Sequence, residues 1–160
     1  MATWTNMRHK LENDYLAPAL RGRIRYFVTA YRESHDQVGR AAILMDGKEI
    51  LKGNFYNFYF KDHLIADDPN RNWYTMDELA LNHGIFDEHN FYHSFSVFDN
   101  QSIEKSLVSD DLLVRIFAIL DRRVGKRRLI AMQEEMKNEP QILQIFYLIR
   151  TEAENISVVL

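Results

Sequence analysis

The spacing of hydrophobic residues changes along the chain from a strand period to a helix period. Residues 23–32 are rich in β-branched and aromatic side chains, which favours a strand. Residues 40–45 and 48–52 flank Asp46-Gly47, and this dipeptide supplies the positive φ angles of a two-residue hairpin turn. Together these segments predict a three-stranded antiparallel meander.

Helix-type spacing dominates on both sides of the meander. A first helix, capped by Thr3 or Thr5, is predicted to reach about Tyr15, with an apolar stripe of Trp4, Met7, Leu11 and Tyr15. Further helices are predicted from a capping box at 75–78 to Gly84, over 87–98, from a cap at 109–111 to Leu120, over 126–137, and from Pro140 to Ala153. Strands followed by helices predict a single α+β domain, with an N-terminal helix, the meander and a C-terminal group of three or four helices.

An aromatic run at 55–60 fits either a fourth strand or a helix. Strict alternation cannot bury all of its rings on one face, and Trp73-Tyr74 follows close behind. Exposed tyrosine and tryptophan commonly anchor protein interfaces, so the sequence predicts an interface that uses Tyr56, Tyr59, Trp73 and Tyr74. The alternatives are a sheet covered on both faces and a helix wedged into the core.

The composition mainly excludes certain classes of function. The chain has 160 residues, a formal net charge of −3 and no cysteine, so any polyanion would have to bind a local patch, and thiolate chemistry is absent. No apolar run approaches the length of about 18 residues that a membrane span needs. We therefore expect a cytoplasmic protein that does not bind membranes and carries no cofactor.

Five cations fall within seven residues around Gly125: Arg122, Arg123, Lys126, Arg127 and Arg128. Because guanidinium groups bind oxyanions in pairs, such a cluster is a candidate site for a phosphate or an acidic partner. The simpler interpretation is that the cations complement the dipole at a helix C-terminus or lie on solvated helix faces. Nucleic acid is the third interpretation, although no aromatic binding signature accompanies the cluster.

The segment that contains this cluster also resembles part of a known protein family. Residues 118–129 (AILDRRVGKRRL), followed by Phe146-Tyr147 and 150–154, resemble the C-terminal half of a family of small bacterial conserved proteins of unassigned function. Residues 15–23 (YLAPALRGR) are similar to the N-terminal segment of that family. The resemblance spans most of the chain and implies a bacterial single-domain protein. It transfers no catalytic residue.

Two further patterns contain residue types that bind metals. His89 and His93 lie four residues apart on a predicted helix, with His83 nearby, but two imidazoles do not complete a metal site. The second pattern is similar to the metal site of some nucleases, in which two carboxylates hold the metal and a lysine activates water. Its residues here are Asp36, Asp46 and Lys48. The hairpin turn already explains Asp46-Gly47, so this pattern is the weaker one, and no metal is predicted.

Linear catalytic motifs such as a P-loop or a nucleophile elbow do not occur in the sequence. We therefore interpret the protein as a non-enzymatic protein-interaction module of the antitoxin or immunity type. The alternatives are a nucleic-acid-associated protein that uses 122–128 and a metal-dependent hydrolase. Sequence does not decide the oligomeric state, nor whether the apolar tail at 156–160 docks on its own domain or on another copy.

Overall fold

Three strands form an antiparallel sheet in the order β1-β2-β3 in the computed structural model, which describes residues 3–29, 40–65 and 68–160. The strands are β1 (Ile24–Thr29), β2 (Arg40–Met45) and β3 (Lys48–Lys52). At the β2–β3 turn, Asp46 and Gly47 have φ angles of 51° and 82°, the left-handed values that the hairpin requires. The predicted meander is confirmed, and the end of the predicted first strand lies outside the described residues.

Helices make up most of the remaining described chain. They are α1 (Trp4–His9), α2 (Phe55–Tyr59), α3 (Lys61–Leu64), α4 (Glu78–Asn82), α5 (Glu88–Asp99), α6 (Ile103–Leu107), α7 (Leu112–Ile119), α8 (Lys126–Ala131), α9 (Gln133–Met136) and α10 (Gln141–Ala153). A π-helical turn, Lys10–Asp14, extends α1, and a 3₁₀ turn, Pro18–Leu20, precedes β1. The α+β class is confirmed, with more and shorter helices than predicted. None of the helices in the described ranges combines the length and the hydrophobicity that crossing a bilayer requires.

Several helices begin or break at residues other than the predicted ones. The α4 cap is Asp77, whose carboxylate accepts a backbone N–H at 2.9 Å, so the capping box predicted at 75–78 is wrong. Asp111 caps α7, while the Ser109 hydroxyl accepts the N–H of Asp111 itself. In both cases the cap is a carboxylate, which also interacts favourably with the positive end of the helix dipole. The helix predicted over 126–137 is divided at Met132.

The aromatic run at 55–60 is helical, which decides between the two predicted alternatives. Asn54 caps α2 by accepting the N–H of Asn57 at 3.1 Å. The amide of Asn57 in turn donates to the carbonyl of His83 at 2.8 Å, next to Gly84. Gly84 has a φ of 65° and ends α4 as predicted. The helix of aromatic residues is therefore joined to the loop that follows α4.

One hydrophobic core connects the sheet to the helices, and Phe117 lies at its centre. The Phe117 ring lies 5.8 Å from Tyr26 on β1 and 6.1 and 5.7 Å from Phe91 and Phe98 on α5. Helix α7 is buried on nearly all sides; Arg115 is its exception. Aromatic rings at such distances add favourable edge-to-face contacts to the burial of apolar surface. This core holds β1, α5 and α7 in fixed positions.

The C-terminal tail docks on its own domain. Ile156 and Val158 are partly buried against the core, in the alternating pattern of an extended segment. The Gln133 side chain donates to the carbonyl of Val159 at 3.1 Å. Of the two arrangements that the sequence left open for 156–160, the structure shows the intramolecular one.

Candidate functional site

The five predicted cations lie on the turn between α7 and α8, here called the basic corner (Arg122, Arg123, Lys126, Arg127 and Arg128). Arg123 pairs with the fully buried Asp121 at 2.9 Å, and Arg128 pairs with Glu104 at 3.3 Å. The other three side chains are exposed, and within the part of the chain that the structure describes none of them forms an ion pair. The corner thus presents three cations whose charge is not neutralised by a neighbouring carboxylate.

The simpler interpretation of the cluster fits in part, because Lys126 and Arg127 lie exposed on α8, but their end of this helix is the N-terminus and not a C-terminus. Lys126, Arg127 and Arg128 occupy the first turn of α8, and the cap residue Gly125 provides no side-chain hydrogen bond. The helix dipole is positive at this end, so cations there are disfavoured. Only Arg122 and Arg123, just past the C-terminus of α7, fit the predicted complementarity with a dipole. The charge on α8 therefore does not stabilise its own helix.

A buried arginine fixes the backbone of the basic corner. The Arg150 guanidinium, 2% exposed, donates to the carbonyls of Ile119 and Asp121 at 2.7 Å each and of Val124 at 2.6 Å. It also pairs with Glu154 at 3.1 Å. Burial lowers the pKa of Arg150 from its ordinary value. Because three successive parts of the turn are attached to one group, the corner displays its cations on a rigid backbone.

The aromatic residues predicted as an interface lie in different environments. Tyr56 and Tyr74 are 65% and 61% exposed. Trp73 is half-buried between the Lys61 and Arg71 side chains, whose charged groups lie 5.4 and 4.8 Å from its ring. The side chain of Tyr59 lies outside what the structure describes. Two of the four predicted residues are therefore accessible to a partner.

The basic corner and the aromatic segment line different depressions. Tyr56 borders a groove of about 760 Å³ between β3, α2 and α4. Arg128 borders a separate cavity of about 300 Å³ between α6, α7 and α9. The two predicted interface regions thus do not converge on one of these cavities, and each has to be considered as a surface of its own.

A third feature, not predicted from the sequence, is a cleft between α1 and α5, here called the α1–α5 cleft. It consists of two adjoining cavities of about 940 and 390 Å³, which share Phe95 and Asp99 as a common wall. The larger cavity is lined by Thr3, Trp4, His89, Tyr92, Phe95, Ser96, Asp99 and Asn100. The smaller cavity is lined by Asn6, Met7, His9, Lys10, Asp14, Phe95 and Asp99. The cleft therefore has an aromatic end and a charged end.

Asp99 lies where the two ends of the cleft meet, and the π-helical turn supplies its partners. The N–H of Tyr15 donates to the carbonyl of Lys10 at 2.8 Å, the five-residue bond of a π-helix. Lys10 and Tyr15 are thus brought into one turn, and both reach the Asp99 carboxylate. The Tyr15 hydroxyl donates to it, and the Lys10 ammonium lies 3.2 Å from its nearer oxygen.

Tyr15 also connects the cleft to the basic corner. Its carbonyl accepts the N–H of Arg122 at 2.7 Å, and its ring lies 5.1 Å from the Arg123 guanidinium. From the sequence, Tyr15 is predicted only as a member of the apolar stripe of the first helix. No local signal could have paired Lys10 with Asp99, because 89 residues separate them.

The environment of Tyr15 has a measurable consequence at alkaline pH. Burial, followed by the hydrogen bond to Asp99, raises the pKa of Tyr15 from 10.0 to about 12. Above pH 10 the unfolded chain releases this proton while the folded chain retains it, so the free energy of unfolding falls as the pH rises toward 12. We expect a shallower fall for Tyr15→Phe than for the parent protein in denaturant titrations across this window.

The matched control for the alkaline titration is Tyr56→Phe, which removes a hydroxyl from an exposed ring. Its free energy of unfolding should follow the parent curve across the same pH range. If Tyr15→Phe also has the parent slope, the hydroxyl does not keep its proton in the folded state, and the assignment of its bond to Asp99 is wrong.

The histidines and carboxylates of the two possible metal patterns do not gather into a site within the described ranges. His89 and His93 are both exposed on α5; His89 borders the α1–α5 cleft, and the ring of His93 lies 5.6 Å from Tyr74. The described residues contain no group of three or more potential ligands. Asp46 is exposed at the hairpin turn and pairs with Arg23 at 3.0 Å, while Asp36 lies outside the described residues.

The fold and these surfaces define a class of protein: a small α+β domain with a three-stranded meander, a rigid basic corner and a two-ended cleft. The sequence profile of the SF0329 protein family matches residues 3–151, so the chain belongs to that family. The chain matches no curated protein and no solved structure at a significant level. The family membership agrees with a resemblance that spans most of the chain, and function has to be argued from the surfaces themselves.

Proposed function

We propose that the protein is a non-enzymatic interaction module of the bacterial cytoplasm, of the antitoxin or immunity type, whose basic corner binds an acidic surface of a partner protein. The observation that carries the proposal is the group of three exposed cations, Arg122, Lys126 and Arg127, which lack a carboxylate partner among the described residues. A partner's carboxylates would form charge-assisted bonds with them.

The rigidity of the corner supports recognition of a defined partner. Arg150 attaches the turn to the core, so little backbone conformational entropy remains to be lost when the corner is bound. Lys126 and Arg127 lie at the positive end of the α8 dipole, where their charge is unfavourable for the isolated helix. This placement also supports a role in binding a partner. Local rules of this kind are broken mainly at functional sites.

A protein partner is favoured over nucleic acid by the number and surroundings of the cations. Neutralising three phosphates would give a salt dependence with a logarithmic slope of only about −3, which corresponds to weak binding. The aromatic rings beside the corner, Tyr15 and Phe98, already contact Arg123 at 5.1 and 5.7 Å, whereas base stacking needs an open ring face. The net charge of −3 adds long-range repulsion of a polyanion.

The proposal can be tested by site-specific cross-linking, because the chain has no cysteine of its own. Lys126→Cys is labelled with a photo-activated cross-linker and incubated in native cell lysate. Lys48→Cys, on the exposed hairpin, is the matched control. We expect one discrete protein adduct at position 126, absent at 48, whose cross-linked peptide is rich in Asp and Glu. Adding Arg122→Glu and Arg127→Glu should abolish this adduct.

Three outcomes would overturn the proposal. One is an equal pattern of adducts at positions 126 and 48. Another is an adduct at 126 that survives the two charge reversals. The third is an adduct that nuclease digestion removes, which would establish the nucleic-acid alternative instead.

The exposed aromatic rings are a candidate second contact with the same partner. Tyr56 and Tyr74 each expose well over half of their surface, and tyrosine is favoured at interfaces because it combines an apolar ring with a hydroxyl. A cross-linker on Tyr74→Cys tests this directly. The same adduct as at position 126 supports one continuous interface, whereas a different adduct or none restricts recognition to the basic corner.

A further inference from the structure

We propose that the α1–α5 cleft binds a small organic cation, specifically an amine whose body is apolar or aromatic. The aromatic end has a volume of about 940 Å³, within the range of about 300–1,000 Å³ that is typical of ligand pockets. Trp4, Tyr92 and Phe95 form its apolar walls. In ligand pockets, a few polar groups beside apolar walls fix the orientation of the small molecule. The charged end of this cleft supplies such groups.

Asp99 is positioned to receive the head group. Its side chain is 22% exposed, and it is the carboxylate common to both ends of the cleft. The Lys10 ammonium lies 3.2 and 3.4 Å from its two oxygens, longer than the distance of about 2.7–2.9 Å for a strong charge-assisted bond. The pair is therefore loose, and a carboxylate with about four acceptor positions retains capacity for a further donor.

The charge balance of the cleft favours a cation over an anion. The polar end carries two carboxylates, Asp14 and Asp99, against the single ammonium of Lys10. The ring of His9 lies 3.7 Å from Asp14 and is directed to that carboxylate. At the aromatic end, the side chains of Trp4 and Tyr92 line the cavity, and such aromatic residues are favourable neighbours for an organic cation. Carboxylate and aromatic walls together distinguish an amine from a neutral or anionic molecule with the same body.

The experiment compares three probes with one phenyl body: 2-phenylethylamine, 2-phenylethanol and 3-phenylpropanoate. The chain has two tryptophans, Trp4 in the cleft and Trp73 outside it, so Trp73→Phe makes the fluorescence report on the cleft alone. We expect the amine to bind with a dissociation constant of about 1 mM, as a fragment of this size does. The alcohol and the carboxylate should bind about tenfold more weakly or not at all.

Two variants assign the binding to the cleft. Asp99→Asn keeps the shape of the side chain and should weaken the amine about tenfold while leaving the alcohol unchanged. Asp110→Asn, at an exposed carboxylate outside the cleft, is the matched control and should bind the amine like the parent. Ser96→Trp fills the aromatic end from an exposed position on α5 and should abolish binding even if Asp99→Asn does not fold.

Equal binding of the three probes, or preference for the carboxylate, would overturn the assignment of a cationic head group. Amine binding that survives Ser96→Trp would overturn the assignment of the site. The result does not depend on the basic corner, because the charge reversals at 122 and 127 should leave the affinity for the amine unchanged.

Discussion

Arg150→Met is expected to lower the free energy of unfolding by about 3–5 kcal/mol, the usual cost of removing one partner from a buried charged network. The substitution removes the donor that the described residues provide to the carbonyls of Ile119 and Val124, while the carbonyl of Asp121 keeps the backbone N–H of Val124 at 3.1 Å. Each unsatisfied buried group costs about 1–3 kcal/mol. It also leaves Glu154, whose side chain is 15% exposed, without its cation. Urea denaturation followed by circular dichroism measures the change.

The matched control for this substitution is Arg122→Met. Arg122 is exposed, and its backbone N–H, which the substitution keeps, provides the contact with Tyr15. Its free energy of unfolding should stay within about 0.5 kcal/mol of the parent, as is usual for surface positions. A loss of under about 1 kcal/mol for Arg150→Met would show that the turn is held by other contacts.

Phe117→Ala is expected to lower the free energy of unfolding by about 3–5 kcal/mol, because it opens a cavity at the centre of the core. The ring is 2% exposed and packs against Tyr26, Phe91 and Phe98. Three aromatic neighbours from two elements cannot all move to fill the space, so the cavity remains. We therefore expect the loss in free energy of unfolding to lie near the upper end of this range. Thermal and urea denaturation both measure it.

Val108→Ala is the control for this core substitution, since Val108 is 78% exposed and its truncation should change the free energy of unfolding by about 0.5 kcal/mol or less.

The Phe117 substitution also tests whether the core supports the α1–α5 cleft. Phe98, which packs on Phe117, lies 5.0 Å from Tyr15 and 5.7 Å from Arg123. A variant that folds but loosens Phe98 should therefore weaken amine binding in the cleft, and unchanged binding would show that the cleft is independent of the core.

The parts of the fold that were predicted correctly are those with strong local signals. Asp46-Gly47 specified the hairpin because few dipeptides adopt two successive left-handed angles. The stripe of Phe91, Phe95 and Phe98 indicated α5 because residues three and four apart share a helix face. The caps of α4 and α7 were misplaced by two residues, since hydroxyls and carboxylates compete for the same donors and only the backbone geometry selects one.

The candidate sites likewise differ in whether a local sequence signal marks them. The basic corner is contiguous in sequence, so its residues were identified, but their pairing was not. Arg123 pairs with Asp121, which is two residues away in the sequence, but Arg128 pairs with Glu104, and the sequence gives no reason to prefer this distant carboxylate over others. The α1–α5 cleft was not predicted at all, because its two walls come from distant parts of the chain.

The sequence by itself thus determined the class of fold, the hairpin and the position of the cation cluster. These properties depend on backbone preferences and periodicities within a few residues. The tertiary structure alone decided which cations remain unpaired, that Arg150 supports the corner from within, and that Lys10, Tyr15 and Asp99 meet. Such contacts arise when the core brings distant segments together, and packing of that kind has no local signature in a single chain.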